Sequence, residues 1–307
     1  MTQATFVDSE KSTIDRFNLT PARSFIWGRA LAPKLAERWA FDRFMTPERR
    51  KAPAGDAAIF AGARPLNVDR VAAWQWGEGP PVLLVHGWEG RAAQFAEFIP
   101  ALVRQGFSVV AFDAPAHGRS PGERASLRTF ASAARSVGDR FGRVQGVIGH
   151  SLGGLAVLLA LRGELESQSA VVIAPASPGR HFIGFAHRLG LTDVEHARIA
   201  RRIEDEVGLP FAEVEGSALA AGLRTPGLVI HDRGDKEAPW HVGAATAAAW
   251  PDAVLHSTEA LGHRRILRDP AVVAAAVSFI ARHRLGAAES ADLERWLDFH
   301  ESRLLAG

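Results

Sequence analysis

From about Val71 to Arg282, short apolar runs alternate with longer stretches in which apolar residues recur every three or four positions. The short runs, bounded by turn formers, predict buried strands at Pro81–Val85, Ser108–Phe112, Val144–Ile148, Ala170–Ile173, Gly227–Ile230 and Ala253–His256. The longer spacing predicts helices over Arg91–Gln105, Leu127–Phe141, Leu152–Leu161, His241–Trp250 and Pro270–Arg282. Such alternation is the signature of an α/β fold with a mostly parallel central sheet, because each parallel crossover takes a dozen or more residues, which a helix covering one face supplies.

Two regions break the alternation. In the first ~55 residues, Phe25, Trp27, Leu31, Leu35, Trp39 and Phe44 predict a helical pair divided near Pro33. It is expected to pack on the core or on another subunit as a homo-oligomer. A membrane-surface role is the weaker alternative, since arginines accompany the tryptophans. Between the strand ending near Ala174 and the one beginning at Gly227, Thr192 and Glu195 form a capping box and Gly208-Leu-Pro210 ends the helix it opens. This insertion reads as a small helical lid. The expected organisation is an N-terminal helical extension (1–55), a core (56–176 and 222–286), a lid (177–221) and a C-terminal helix (287–307) whose amphipathic part is Asp292–Leu305.

Composition narrows the chemistry. The 307 residues include no cysteine, which excludes disulfides, thiolate metal sites and a cysteine nucleophile together. Thirty-six basic and 34 acidic side chains leave a formal charge of only +2. The basic groups Arg49–Lys51 and Arg264–Arg265 lack interleaved aromatics, so no nucleic-acid partner is expected. No apolar run approaches the ~18 residues of a membrane span. Met1–Asn18 lacks the apolar centre of a secretory signal, and a cytoplasmic location is the expectation.

The informative segment is Val147-Ile-Gly-His-Ser-Leu-Gly-Gly154, a Gly-x-Ser-x-Gly sequence that follows an apolar strand and opens a helical pattern. A serine on a sharp strand-to-helix turn needs small neighbours, which Gly149 and Gly153 provide around Ser151. The new helix also points its free N–H groups at charge developing there. A serine hydroxyl needs a base to take its proton, and His263 in Leu261-Gly-His263, after the last strand, is the best placed of the 12 histidines. His150 adjoins the serine, but adjacent residues on a tight turn diverge, so it is read as support for the elbow. The carboxylate that orients the base is assigned to Asp235, in His231-Asp-Arg-Gly-Asp-Lys-Glu-Ala-Pro239, with Asp232 and Glu237 as substitutes. The oxyanion donors are expected to be the backbone N–H groups of Leu152 and Trp88, with His86 and Gly87 supporting the loop. Asp113 to Ser120 reads as a supporting turn.

With these motifs assembled, residues 68 to 285 resemble the bacterial α/β-hydrolase superfamily. His86-Gly-Trp88 is similar to its oxyanion loop, Asp113–Ser120 to its Asp-x-x-Gly-x-Gly-x-Ser turn, and Gly149–Gly153 to its nucleophile elbow. Asp235 with Pro239 matches the acid loop, and Gly262-His263-Arg264 the histidine loop. The chain departs at Ala116-His117, where the turn usually has its first glycine, and at Asp232, where the acid loop usually has glycine. The resemblance implies an acyl-enzyme mechanism without a cofactor or a metal, acting on a small-molecule ester. Phe182, Ile183, Phe185 and Leu189 in the lid suggest a small to medium, fairly apolar substrate. The same triad would serve a thioesterase, acyltransferase, C–C hydrolase or aminopeptidase, the last needing lid acids such as Glu195, Glu204 or Glu206. A non-catalytic binding protein of this fold is the alternative outside enzymes.

Overall fold

In the computed structural model, which describes residues 29, 31–49, 51–68 and 70–284, the chain enters through helix α1 (Pro33–Met45) and the single turn α2 (Asp56–Ile59). Eight strands follow: β1 (Arg64–Val68), β2 (Val71–Trp76), β3 (Pro81–Val85), β4 (Ser108–Asp113), β5 (Gly146–His150), β6 (Ala170–Ile173), β7 (Gly227–Asp232) and β8 (Ala253–Thr258). Helices α3 (Phe98–Arg104), α4 (Leu127–Gly138) and α5 (Leu152–Arg162) connect the first parallel strands. Between β6 and β7 lie α6 (Pro178–Leu189), α7 (Asp193–Val207) and α8 (Gly216–Ala220), and the chain continues through α9 (Trp240–Ala249), α10 (Gly262–Arg265) and α11 (Pro270–Arg282). Phe25, Trp27 and the expected C-terminal helix Asp292–Leu305 lie outside the described residues.

The strands form one sheet in the order β1-β2-β4-β3-β5-β6-β7-β8. The β1–β2 and β2–β4 pairs are antiparallel and the rest are parallel. Strands β3 to β7 are buried on both faces, which is why their sequences are continuous apolar runs. One face packs on α4, α5 and α9 through Leu83, Val147, Phe130, Leu155 and Trp250. The other packs on α3 and α11 through Leu84, Ile148, Leu102, Val272 and Ile280.

Three details differ from the sequence expectation. Strands β1 and β2 lie outside the predicted set; β1 is a mostly exposed edge containing Pro65, so it carries no apolar run to read. The helix expected over Arg91–Gln105 is broken into a 3₁₀ turn at Ala92–Phe95 and α3 from Phe98. The strand expected at Val144–Ile148 begins two residues later and runs to His150, Val144 making only an isolated bridge to Ser167.

The insertion is helical throughout. Thr192 and Glu195 form the reciprocal capping box of α7, and Gly208 ends it in the left-handed conformation. Helix α1 shares a separate apolar core with this insertion: Ala36, Ala40, Phe41 and Met45 meet Phe182, Leu189, Ile199 and Ile203. The N-terminal helix is therefore part of the cap. Beyond it the chain is strapped to the body, where Ala125 N–H donates to Met45 O and Arg49 donates to the carbonyls of Gly118, Ser120 and Gly122. Phe182 and Leu189, expected to line an apolar substrate site, are instead buried in the cap core, while Ile183 is 60% exposed. Among the described residues, no helix is long and apolar enough to cross a membrane.

Candidate active site

Strand β5 ends at His150 and α5 begins at Leu152, leaving Ser151 alone on the turn with φ 55° and ψ −121°. A non-glycine residue held there costs about 1–3 kcal/mol, so the surroundings must impose it. Ser151 N–H donates to Ile173 O at 2.9 Å, and Gly154 N–H donates to Ser151 O at 3.0 Å. The start of α5 lies so close to the end of β3 that a Cβ on Gly153 would sit 2.2 Å from Val85 O and 2.3 Å from His86 O. Only glycine fits, and the turn is sharp because of it.

The elbow presents Ser151 to the loops after β7 and β8. Ser151 Oγ lies 3.0 Å from His263 Nε2, and His263 Nδ1 lies 2.7 Å from Asp235 Oδ2. The short Nδ1 contact fits an imidazole that donates from Nδ1 to the carboxylate and accepts the serine proton at Nε2. Asp235 is buried, and its other oxygen accepts from the N–H groups of Glu237 (2.8 Å) and Ala238 (2.9 Å). Burial opposes its ionisation, but hydrogen bonds from His231 and His263 outweigh that and hold the carboxyl well below the usual range.

The two candidate substitutes for the acid have other partners. Asp232 Oδ1 accepts from Gly234 N–H at 2.9 Å, while Oδ2 accepts from the Thr258 hydroxyl (2.9 Å) and Leu261 N–H (3.0 Å). Burial opposes ionisation here too, and these donors overcome it, lowering the pKa. Asp232 thus ties the acid loop to the histidine loop, a function glycine at that position could not perform. Glu237 pairs with Arg264 through contacts of 3.0 and 3.1 Å, a second, exposed tie between the same loops.

The histidines beside the serine are structural in geometry. His150 donates from Nε2 to the main-chain carbonyl of His263 at 2.8 Å rather than to Ser151. Burial, helped by the charge of His263, pushes its pKa down to about 3. His86 donates from Nδ1 to Gly87 O (2.7 Å) and accepts Ala114 N–H at Nε2 (2.9 Å), fixing the loop after β3 to the end of β4. Burial pushes it down to about 4. A Cβ on Gly87 would lie 2.9 Å from Ser151 Cβ, so this loop rests directly against the elbow. Neither Trp88 N–H nor Leu152 N–H has an acceptor among the described residues. Trp88 itself is held by edge contact with His117, with ring centroids 5.2 Å apart.

Asp113 accepts from Ala92 N–H (2.8 Å) and Arg119 N–H (2.7 Å), closing the turn that carries His117. Ala116 adopts φ 64°, so the conformation that favours glycine persists at this position without it. Two of the three lid acids are committed elsewhere, Glu195 to its capping box and Glu204 to Phe211 N–H, and Glu206 is exposed. Sequence reasoning overlooked His231, which is fully buried with Nε2 3.4 Å from Asp235 Oδ2. Its signal was a histidine ending an apolar strand, four residues before the acid. Among the described residues, no group of three or more His, Asp or Glu side chains is arranged to hold a metal ion.

Residues 80–179 match the family model described as alpha/beta hydrolase fold. A human "Serine hydrolase-like protein" is 42% identical over 96 residues, 28% of this chain, which spans about half (45%) of that relative's length. A Variovorax paradoxus (strain S110) protein named "Putative carbamate hydrolase RutD" is 29% identical over 247 residues, covering 67% of this chain and 93% of its own. Among solved structures, the monoacylglycerol lipase of Paleococcus ferrophilus superimposes with a TM-score of 0.56 at 22% identity, covering 69% of this chain and 99% of its own. With the sheet order, the strand-to-helix elbow and these matches in agreement, the chain has the α/β-hydrolase fold, and its residues 80–179 are similar to the family of that name.

Proposed function

We propose that the chain is a serine hydrolase that cleaves a carboxylic ester of small to medium, fairly apolar character through an acyl-enzyme. The observation that carries this reading is the unbroken hydrogen-bonded line from Ser151 Oγ through His263 to Asp235 Oδ2. As Oγ attacks the carbonyl carbon, His263 Nε2 takes its proton, and Asp235 stays ionised and stabilises the imidazolium. The carbonyl oxygen becomes an oxyanion held by the N–H groups of Trp88 and Leu152, each such donor contributing about 3 kcal/mol in comparable sites. His263 then protonates the departing alkoxide, and water attacks the acyl-serine by the same route in reverse.

With Phe182 and Leu189 committed to the cap, the half-buried side chains of Trp88 and Leu152, on the two segments that carry the oxyanion donors, are the apolar groups left to meet the substrate. A second reading rests on the Variovorax relative: a carbamate presents the same planar carbonyl to the serine, and its tetrahedral adduct needs the same oxyanion donors. Hydrolysis of p-nitrophenyl esters of increasing chain length, beside a p-nitrophenyl carbamate, separates the two. Under the ester reading, wild type turns over the esters, with a preferred chain length, and Ser151→Ala lowers turnover roughly 10⁴-fold or more. Equal ester turnover by wild type and Ser151→Ala would reject a serine mechanism. Faster carbamate than ester turnover would favour the second reading.

A further inference from the structure

We propose that His231 is a positioning residue for the acid of the triad, an inference that rests on the hydrolase reading above. The side chain lies at the end of β7, fully buried, with Nε2 2.8 Å from Ala238 O and 3.4 Å from Asp235 Oδ2. Both partners belong to the loop that carries the acid. Asp235 Oδ2 therefore receives His263 from one side and His231 from the other, while Oδ1 is held by the N–H groups of Glu237 and Ala238. The carboxylate is fixed in rotation and in position, which is what aiming His263 at Ser151 requires.

The imidazole makes its polar contacts through Nε2 alone. Its Nδ1 is buried and has no hydrogen-bond partner. That atom faces α9, where a Cβ on Gly243 would come within 2.2 Å of it. The orphaned Nδ1 fits the tautomer with its proton on Nε2, shared between Ala238 O and the carboxylate. A phenylalanine would occupy this space without an unsatisfied nitrogen but leaves Ala238 O without its donor, so the polar reason for histidine here is Nε2. The geometry makes the Nε2 donor its distinctive contribution.

Two substitutions separate positioning from packing. His231→Phe keeps a ring and removes the donor, whereas His231→Gln keeps an amide donor near the Nε2 position. Measured with a p-nitrophenyl ester, His231→Phe should lower kcat roughly 10-fold to 10²-fold with KM changed by less than about threefold. His231→Gln should recover most of that loss in kcat, and the Phe variant, which leaves Ala238 O without its donor, should melt no more than about 10 °C below wild type. Wild-type kcat in the folded Phe variant overturns the proposal, as does a loss that follows melting temperature and is not recovered by Gln. Ser151→Ala measured in parallel tells this failure from failure of the hydrolase reading. If that variant retains wild-type turnover, the triad itself is wrong, and the positioning role falls with it.

Discussion

Asp232→Asn and Asp235→Asn are isosteric changes three residues apart, and the structure assigns them different consequences. Asp232 is a pure acceptor whose two oxygens take three donors: Gly234 N–H, the Thr258 hydroxyl and Leu261 N–H. In the asparagine variant an amide nitrogen must replace one oxygen. In place of Oδ2 it meets Leu261 N–H donor to donor, and the Thr258 hydroxyl must turn round to accept; in place of Oδ1 it meets Gly234 N–H in the same way. Each hydrogen bond to a charged group contributes about 1.5–3 kcal/mol, so losing one and removing the charge behind the others costs about 2–4 kcal/mol. For a domain of this size, that corresponds to a fall in melting temperature of roughly 4–15 °C. Leu261 is two residues before His263, so kcat should fall along with stability. Asp235→Asn keeps an oxygen for the Glu237 and Ala238 amides and presents NH₂ to His263 Nδ1, which favours the wrong tautomer. Turnover should drop roughly 10⁴-fold; the same NH₂ also meets His231 Nε2–H, so a fall in melting temperature comparable to that of Asp232→Asn accompanies it and the size of the kcat loss separates the two variants. Thermal melts and ester kinetics on both variants test this. If Asp232→Asn melts within about 2 °C of wild type with unchanged kcat, Asp232 does not tie the two loops together.

Gly153→Ala places a methyl 2.2 Å from Val85 O and 2.3 Å from His86 O, about 1 Å inside normal contact, so β3 and α5 must separate. Urea unfolding should show a loss of at least about 2–4 kcal/mol, with turnover lost as the elbow opens. Phe41→Ala empties a fully buried site in the cap and should cost about 3–5 kcal/mol. Limited proteolysis should then cut α6 and α7 before the sheet; unchanged resistance would detach α1 from the cap. Acid stability follows from His86, His117 and His150, held neutral by burial at about 4, 3 and 3 against an ordinary 6.5. Below pH ~6.5 the unfolded chain binds protons that the folded chain refuses, so their contribution is complete above that pH and is lost as pH falls toward 4 and 3. The slope approaches roughly 1.4 kcal/mol per pH unit for each histidine. Urea titrations from pH 7 to 4.5 should show it, and a flat profile contradicts neutral burial.

The parts legible in sequence are those that local chemistry fixes. Fully buried strands such as β3 and β6 are apolar throughout, and the elbow needs glycine within two residues of Ser151 on either side. Chain order then limited the acid and base to loops after late strands. What sequence did not show depends on distant partners. Strand β1 exists because β2 pairs with it, and its own residues alternate too weakly to announce a strand. Phe182 and Leu189 are apolar for a core that includes α1, about 140 residues earlier, so their composition alone suggested a pocket lining. Asp232 read as a departure from the family pattern, whereas its meaning lies in Thr258 at the end of β8 and Leu261 on the loop that follows.

The central claim is that Ser151 is the nucleophile, and intact-mass spectrometry after exposure to a fluorophosphonate tests it most directly. The expected result is one covalent adduct per chain, mapped to the peptide containing Ser151, absent from Ser151→Ala and strongly slowed in a folded His263 variant. An adduct that persists in Ser151→Ala, or no adduct on folded wild type over hours, would contradict it.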